Sequence, residues 1–98
     1  YNERGLVHFS AGRFADAEQD FGRAIDKSKD NAILWGNRAD ARRKQGRYDA
    51  AVEDAKAAHK LDPTNDYYIT LWGDSLQAAG KFEAAAGLFL EAAEKFNN

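Results

Sequence analysis

An all-α array of three antiparallel helix pairs is the fold the sequence predicts, and three observations predict it. The chain repeats itself at a fixed step: Gly12, Gly46 and Gly80 stand 34 residues apart, and so do Phe14, Tyr48 and Phe82, Ala17, Ala51 and Ala85, and Ala24, Ala58 and Ala92. A period of this length, carried by small and aromatic residues, marks a stack of one repeated supersecondary unit. Apolar residues on both sides of each glycine recur at helical spacing. Each glycine itself falls where one such stripe ends and the next begins, and glycine accepts the left-handed conformation common just past a helix end.

Taken in order, Gly5, Leu6 and Phe9, with Tyr1 and His8, form a helical stripe from Tyr1 to Ala11, and Gly12-Arg13 turns the chain. The second helix runs from Phe14 to about Ser28, with Phe14, Ala17, Phe21, Ala24 and Ile25 on one face. Asp30 or Asn31 can cap the third, Ala32 to Gln45, by accepting a hydrogen bond from an orphan amide. Gly46-Arg47 repeats the turn, and the fourth helix, Tyr48 to Leu61, is stopped by Pro63. Thr64 to Asp66 caps a fifth helix from Tyr67 to Ala79; after Gly80-Lys81 a sixth runs from Phe82 to about Phe96. The units are residues 1–31, 32–65 and 66–98. Tyr1 aligns with Trp35, so the counterparts of Ala32 to Leu34 are missing from the first unit, as expected of a piece of a longer protein. Small residues at Gly5, Ala39 and Gly73 on first helices, and at Ala17, Ala51 and Ala85 on second ones, let the two approach closely, with Phe14, Tyr48 and Phe82 filling the space beside them.

Composition narrows the class of function. Of 98 residues, 44% are apolar and 31% charged, the balance of a chain that folds rather than one that stays disordered. Fourteen basic and 16 acidic side chains nearly cancel, so no long-range field favours nucleic acid or an acidic membrane surface. No cysteine is present, which removes thiol chemistry and the usual structural zinc sites while leaving the compartment open. The longest apolar stretches, such as Ala84 to Leu90, fall far short of a membrane span.

These columns make the chain resemble the tetratricopeptide repeat family: Trp35, Gly46, Tyr48, Ala51, Ala58 and Pro63 in the second unit, Gly5, Phe14, Ala17, Phe21 and Ala24 in the first, Gly73, Phe82, Ala85, Phe89 and Ala92 in the third. The departures are local. Arg42 and His8 stand where the family has tyrosine, Ala55 replaces the aromatic present as Phe21 and Phe89, and Lys29 and Asn97 stand in the column of Pro63. The resemblance implies a right-handed superhelix whose first helices line a concave groove for a peptide or partner helix. Carried over column by column, that groove would present Asn2, Leu6 and Phe9, then Ile33, Gly36, Asn37, Asp40, Arg43 and Lys44, then Tyr67, Thr70, Leu71, Asp74 and Gln77. Asn37, in the run Asn37-Arg38-Ala39, matches one of five residues of the family's two-carboxylate clamp, which grips the acidic C-terminal tail of heat-shock chaperones. Where the clamp has lysine, asparagine, lysine and arginine, this chain has Asn2, Leu6, Tyr67 and Leu71, so its charge-assisted bonds to a terminal carboxylate are not expected.

Within that groove Leu6, Phe9, Ile33, Tyr67 and Leu71 are candidate apolar anchors, some of them packed between helices instead. Asn37 is a candidate for a ligand's backbone, and Asp40 and Asp74, one period apart, for its basic side chains. Arg42, Arg43 and Lys44 read first as a cluster complementing the end of a helix. Glu18, Asp20, Glu53 and Asp54 read as solvated outer faces. His8 and His59 are isolated, and the glycines form no phosphate-binding cluster, so no cofactor, metal or catalytic constellation is indicated. The expected function is non-catalytic binding of a protein or peptide segment with apolar and basic residues. The alternative is assembly, with Leu88, Ala92 and Phe96 on the last helix docking on a partner or a second copy.

Overall fold

A computed structural model describes residues 1–97, with side chains through Lys95. Six α-helices follow in order: α1 (Asn2–Ser10), α2 (Phe14–Lys27), α3 (Ala32–Lys44), α4 (Tyr48–Leu61), α5 (Asp66–Ala78) and α6 (Phe82–Asn97). They pack as hairpins α1/α2, α3/α4 and α5/α6, each resting on the next, in an elongated body of 39 × 27 × 18 Å. Such stacking is what a sequence of helix pairs too thin to bury a core singly must do.

Two alternating turns build the array. Within each pair the first helix ends in a glycine with positive φ: 82° at Gly12, 79° at Gly46 and 82° at Gly80. At the first, the Gly12 amide donates to the Phe9 carbonyl and the Arg13 amide to His8, which satisfies two otherwise orphan carbonyls; Gly46 and Gly80 repeat the pattern. Between pairs, an asparagine caps the incoming helix. Asn31 Oδ1 accepts from the Ile33 amide at 3.1 Å and Asn65 Oδ1 from the Tyr67 amide at 2.9 Å. The turn before Asn31 has Lys29 where the turn before Asn65 has Pro63, and the two share three backbone hydrogen bonds, the first turn having one more from the Ser28 amide to the Ile25 carbonyl. The asparagine caps, rather than the proline, are common to both junctions.

The small columns behave as expected: Ala17, Ala51 and Ala85 are fully buried. Phe21 lies over Gly5 and Phe89 over Gly73, so closely that a Cβ on either glycine would meet the ring at 2.6 Å and 2.1 Å respectively. The middle pair has Ala39 and Ala55 in these columns, and the volume that an aromatic at position 55 would take is filled by Leu71 of α5. Phe82 departs from expectation and is 67% exposed. Phe14, its counterpart in the first pair, packs edge-on against Phe9 at 5.1 Å, whereas the column of Phe9 holds Gln77 in the third pair.

The larger correction concerns the second helices. Asp20 and Asp54 are each only 2% exposed, and the Glu18 side chain is mostly covered, so of the four acids expected to face water only Glu53 does. Arg4 clasps Asp20 with two bonds of 2.8 Å, and Arg38 clasps Asp54 with bonds of 3.0 and 2.9 Å. Arg42 stands with Arg43 and Lys44 in the last turn of α3, as expected of a helix-end cluster, and it also links helices α2 and α4, donating to Glu18 at 2.8 Å and to Asp54 at 2.9 Å. Arg4 and Arg38 each precede their aspartate by 16 residues, a repeated spacing that was visible as a column. Where the second pair meets the third, these positions turn apolar. Arg38, Asp54, Arg42 and Glu18 are replaced one period on by Trp72, Leu88, Leu76 and Val52, which pack together with Ala85 and Phe89. Leu88 is therefore turned inward rather than offered on the outer face of α6.

Candidate functional site

The expected groove residues lie on the first helices α1, α3 and α5. Leu6, Ile33 and Tyr67 are exposed at 44%, 58% and 51%, one apolar side chain from each of α1, α3 and α5. Between α1 and α3 a cleft of about 200 Å³ is lined by Leu6, Phe9, Phe21, Asn37 and Asp40. Four of these five come from the predicted set. Phe21 was missed because it belongs to a second helix; it reaches the floor of the cleft because Gly5 beside it has no side chain.

Polar groups at the cleft are bonded to one another. Asn37 Nδ2 donates to Asn2 Oδ1 at 3.1 Å, which ties α3 to α1. Asp40 accepts on both oxygens: from Arg43 Nη2 on Oδ1 at 3.2 Å, and from the Tyr67 hydroxyl on Oδ2. Burial and this bond to the Asp40 carboxylate push the Tyr67 hydroxyl well above its usual range, so it stays protonated and donating. Asp74, by contrast, is exposed and takes part in no ion pair among the described residues.

Three expected positions lie elsewhere. Leu71 is 3% exposed, drawn into the core by the space beside Ala55, and cannot act as an anchor. Lys44 points to the turn edge, where it borders a hollow with Gly12 to Asp16. Thr70 faces a separate hollow of about 260 Å³ on the α5/α6 surface, with Ile69, Phe89 and Ala92. Gly36 carries no side chain into the groove and is covered by the ring of Tyr68. The side chain of Phe96 lies outside those described.

Asp20 ties α1 to α2 within the first pair, and Glu18 ties that pair to the next. The hydrogen bond from Arg4 outweighs burial and holds the Asp20 carboxyl at about 2. Burial pushes Glu18 up, but hydrogen bonds from Arg42 and Gln45 and the charges of Arg42 and Arg47 more than offset it, leaving it below the usual carboxylate range. Both acids serve architecture, and neither lines the cleft.

Known proteins fit this geometry. The sequence model of the family described as Tetratricopeptide repeat matches residues 2–66. The small glutamine-rich tetratricopeptide repeat-containing protein 2 of Mycosarcoma maydis is 29% identical over 90 residues, which is 92% of this chain and 26% of that protein, so the chain spans about a quarter of its relative. Among solved structures, the second TPR of Spaghetti (RPAP3) bound to the HSP90 peptide SRMEEVD superposes with a TM-score of 0.85 at 30% identity, covering 90% of this chain and 82% of that one. The second TPR domain of human RPAP3, in complex with the HSP70 peptide SGPTIEEVD, gives 0.86 at 29% identity, covering 91% and 74%. The repeated columns, the stacked hairpins and the family match over most of the sequence agree, and the chain belongs to the tetratricopeptide repeat family.

Proposed function

We propose that this chain is a non-catalytic interaction module that takes a protein or peptide segment across its first-helix face, and that it does so without the two-carboxylate clamp. The observation that carries this reading is one exposed apolar side chain on each first helix, Leu6, Ile33 and Tyr67, with Leu6 at the rim of the Leu6–Asp40 cleft. Apolar side chains that a fold leaves in water on one face, next to a concavity with a few polar groups, are the usual makings of a peptide site. The relatives that hold chaperone peptides support the peptide class. Their acidic ligands do not suit this surface, since Asn2, Leu6, Tyr67 and Leu71 occupy the columns of the clamp's cations and second asparagine, and Leu71 is buried. The ligand that fits is a segment with apolar side chains for Leu6, Ile33 and Tyr67 and a basic one for the free carboxylate of Asp74.

The test is fluorescence anisotropy with labelled peptides. SRMEEVD should show no saturable binding below about 1 mM. Segments selected from a library should be rich in Leu, Phe, Lys and Arg, and should lose at least about tenfold in affinity when Leu6, Ile33 and Tyr67 are changed together to serine. Micromolar binding of SRMEEVD that disappears on amidating its C-terminus would refute the absence of a clamp. Unchanged affinity in the triple variant would refute the face.

A second reading, assembly, is favoured by the hollow lined by Ile69, Phe89 and Ala92, an apolar surface one period beyond the one on which α5 packs. Ala92→Glu should then abolish any concentration-dependent rise in mass seen by sedimentation; a protein that is monomeric at all concentrations would exclude it.

A further inference from the structure

The Tyr67 hydroxyl, from α5, and the Arg43 guanidinium, from the last turn of α3, converge on a single carboxylate, and that carboxylate is the chain's own Asp40. A cation and a hydroxyl donating to the two oxygens of one carboxyl group is the arrangement by which proteins hold an acidic side chain of a ligand. Here the position is taken from within. Asp40 lies at the wall of the Leu6–Asn37 cleft, so its carboxylate also faces whatever enters.

The pairing is incomplete in one respect. Arg43 gives one Nη2 bond to Asp40 while its Nε–H is buried with no partner among the described residues. A buried donor left unpaired is costly, and the guanidinium therefore has unmet capacity for an acceptor. The Tyr67 hydroxyl donates to Asp40 and to no other acceptor among the described residues.

From this geometry we infer that Asp40 is the specificity-determining residue of the groove: it occupies the carboxylate position formed by Tyr67 and Arg43 and thereby excludes acidic ligand side chains. The inference rests on the first-helix face being the binding face. Asp40 contributes repulsion against acidic segments and denies them their two donors, leaving Asp74 as the carboxylate offered to basic ones. Removing it converts a groove closed to acidic groups into one that accepts them.

The probe is a labelled, C-terminally amidated heptapeptide of glutamate and glycine, with the glutamine version as control. Wild-type protein should bind neither. Asp40→Ala should bind the glutamate peptide at least about tenfold more tightly than wild type, with the gain falling as salt is raised and absent for the glutamine peptide. Asp40→Ala combined with Arg43→Ala, or with Tyr67→Phe, should lose most of the gain. A folded Asp40→Ala protein that binds the acidic peptide no better than wild type would overturn the inference, as would a gain that survives both double substitutions. If truncation unfolds the chain, Asp40→Asn keeps the shape, removes the charge and should show a smaller gain of the same sign; no gain there refutes it equally. Should wild-type protein fail to bind any apolar and basic segment while Asp40→Ala gains the acidic one, the proposed ligand class falls and the role of Asp40 stands.

Discussion

Gly36 offers a sharp test of how the second and third pairs are joined. It lies in the middle of α3 under the ring of Tyr68, which reaches across from α5 and is almost fully buried. A Cβ at position 36 would lie 2.7 Å from Tyr68 Cε1 and 3.3 Å from Cδ1. Carbon atoms prefer about 3.5–4.0 Å, so the nearer contact falls short by roughly 1 Å. Overpacking of this kind costs about 1–3 kcal/mol, and the upper half applies because the Tyr68 ring is almost fully buried. Replacing a mid-helix glycine by alanine returns about 0.8–1 kcal/mol of helix propensity. Gly36→Ala should therefore lose about 1–2 kcal/mol, a fall in Tm of about 5–10 °C for a domain of this size. One repeat earlier the same two columns hold Asn2 and Leu34, a residue with a Cβ opposite a shorter side chain. Gly36→Ala combined with Tyr68→Leu should then be more stable than the sum of the single changes implies, by more than about 1 kcal/mol. Urea denaturation followed by circular dichroism measures all four proteins. A Gly36→Ala variant as stable as wild type, or strictly additive losses, would show that the ring does not need the glycine.

The ionic network yields two further expectations. Asp54→Ala strands Arg38 and leaves Arg42 with Glu18 alone, both arginines being largely covered, and should cost about 3 kcal/mol, whereas Asp20→Ala leaves Arg4 and Arg23, which are half exposed, to water and should cost about 1 kcal/mol; equal losses in urea denaturation would refute this ranking. Asp20 also predicts an acid response: its carboxyl ionises at about 2 when folded against 3.8 for the ordinary group, so its contribution is present above about pH 4 and fades as the pH falls toward 2. Comparing unfolding at about pH 5 and about pH 2.5, Asp20→Asn should lose less stability on acidification than wild type, and an identical loss would place the effect on other carboxylates.

Much of the architecture was legible in the residues because it is local. The helix boundaries follow from glycines that must turn and from asparagines that cap, and both act within a few residues of the chain. The stacking follows from the 34-residue columns, since a small residue at Ala17, Ala51 and Ala85 has one use in a helix hairpin. The exposure of three of the five candidate apolar anchors was also readable: Leu6, Ile33 and Tyr67 are exposed on first helices as their columns suggested.

What only the tertiary structure decided are the places where one column answers to another. Leu71 left the groove because Ala55, sixteen residues earlier on another helix, leaves room for it. Asp20, Asp54 and Glu18 left the surface because Arg4, Arg38 and Arg42 lie across from them. Asp40 became engaged because Tyr67 from the next pair reaches it. A repeat pattern reports which positions face a neighbour, but the volume and charge of that neighbour belong to a different stretch of chain, and only folding brings the two together.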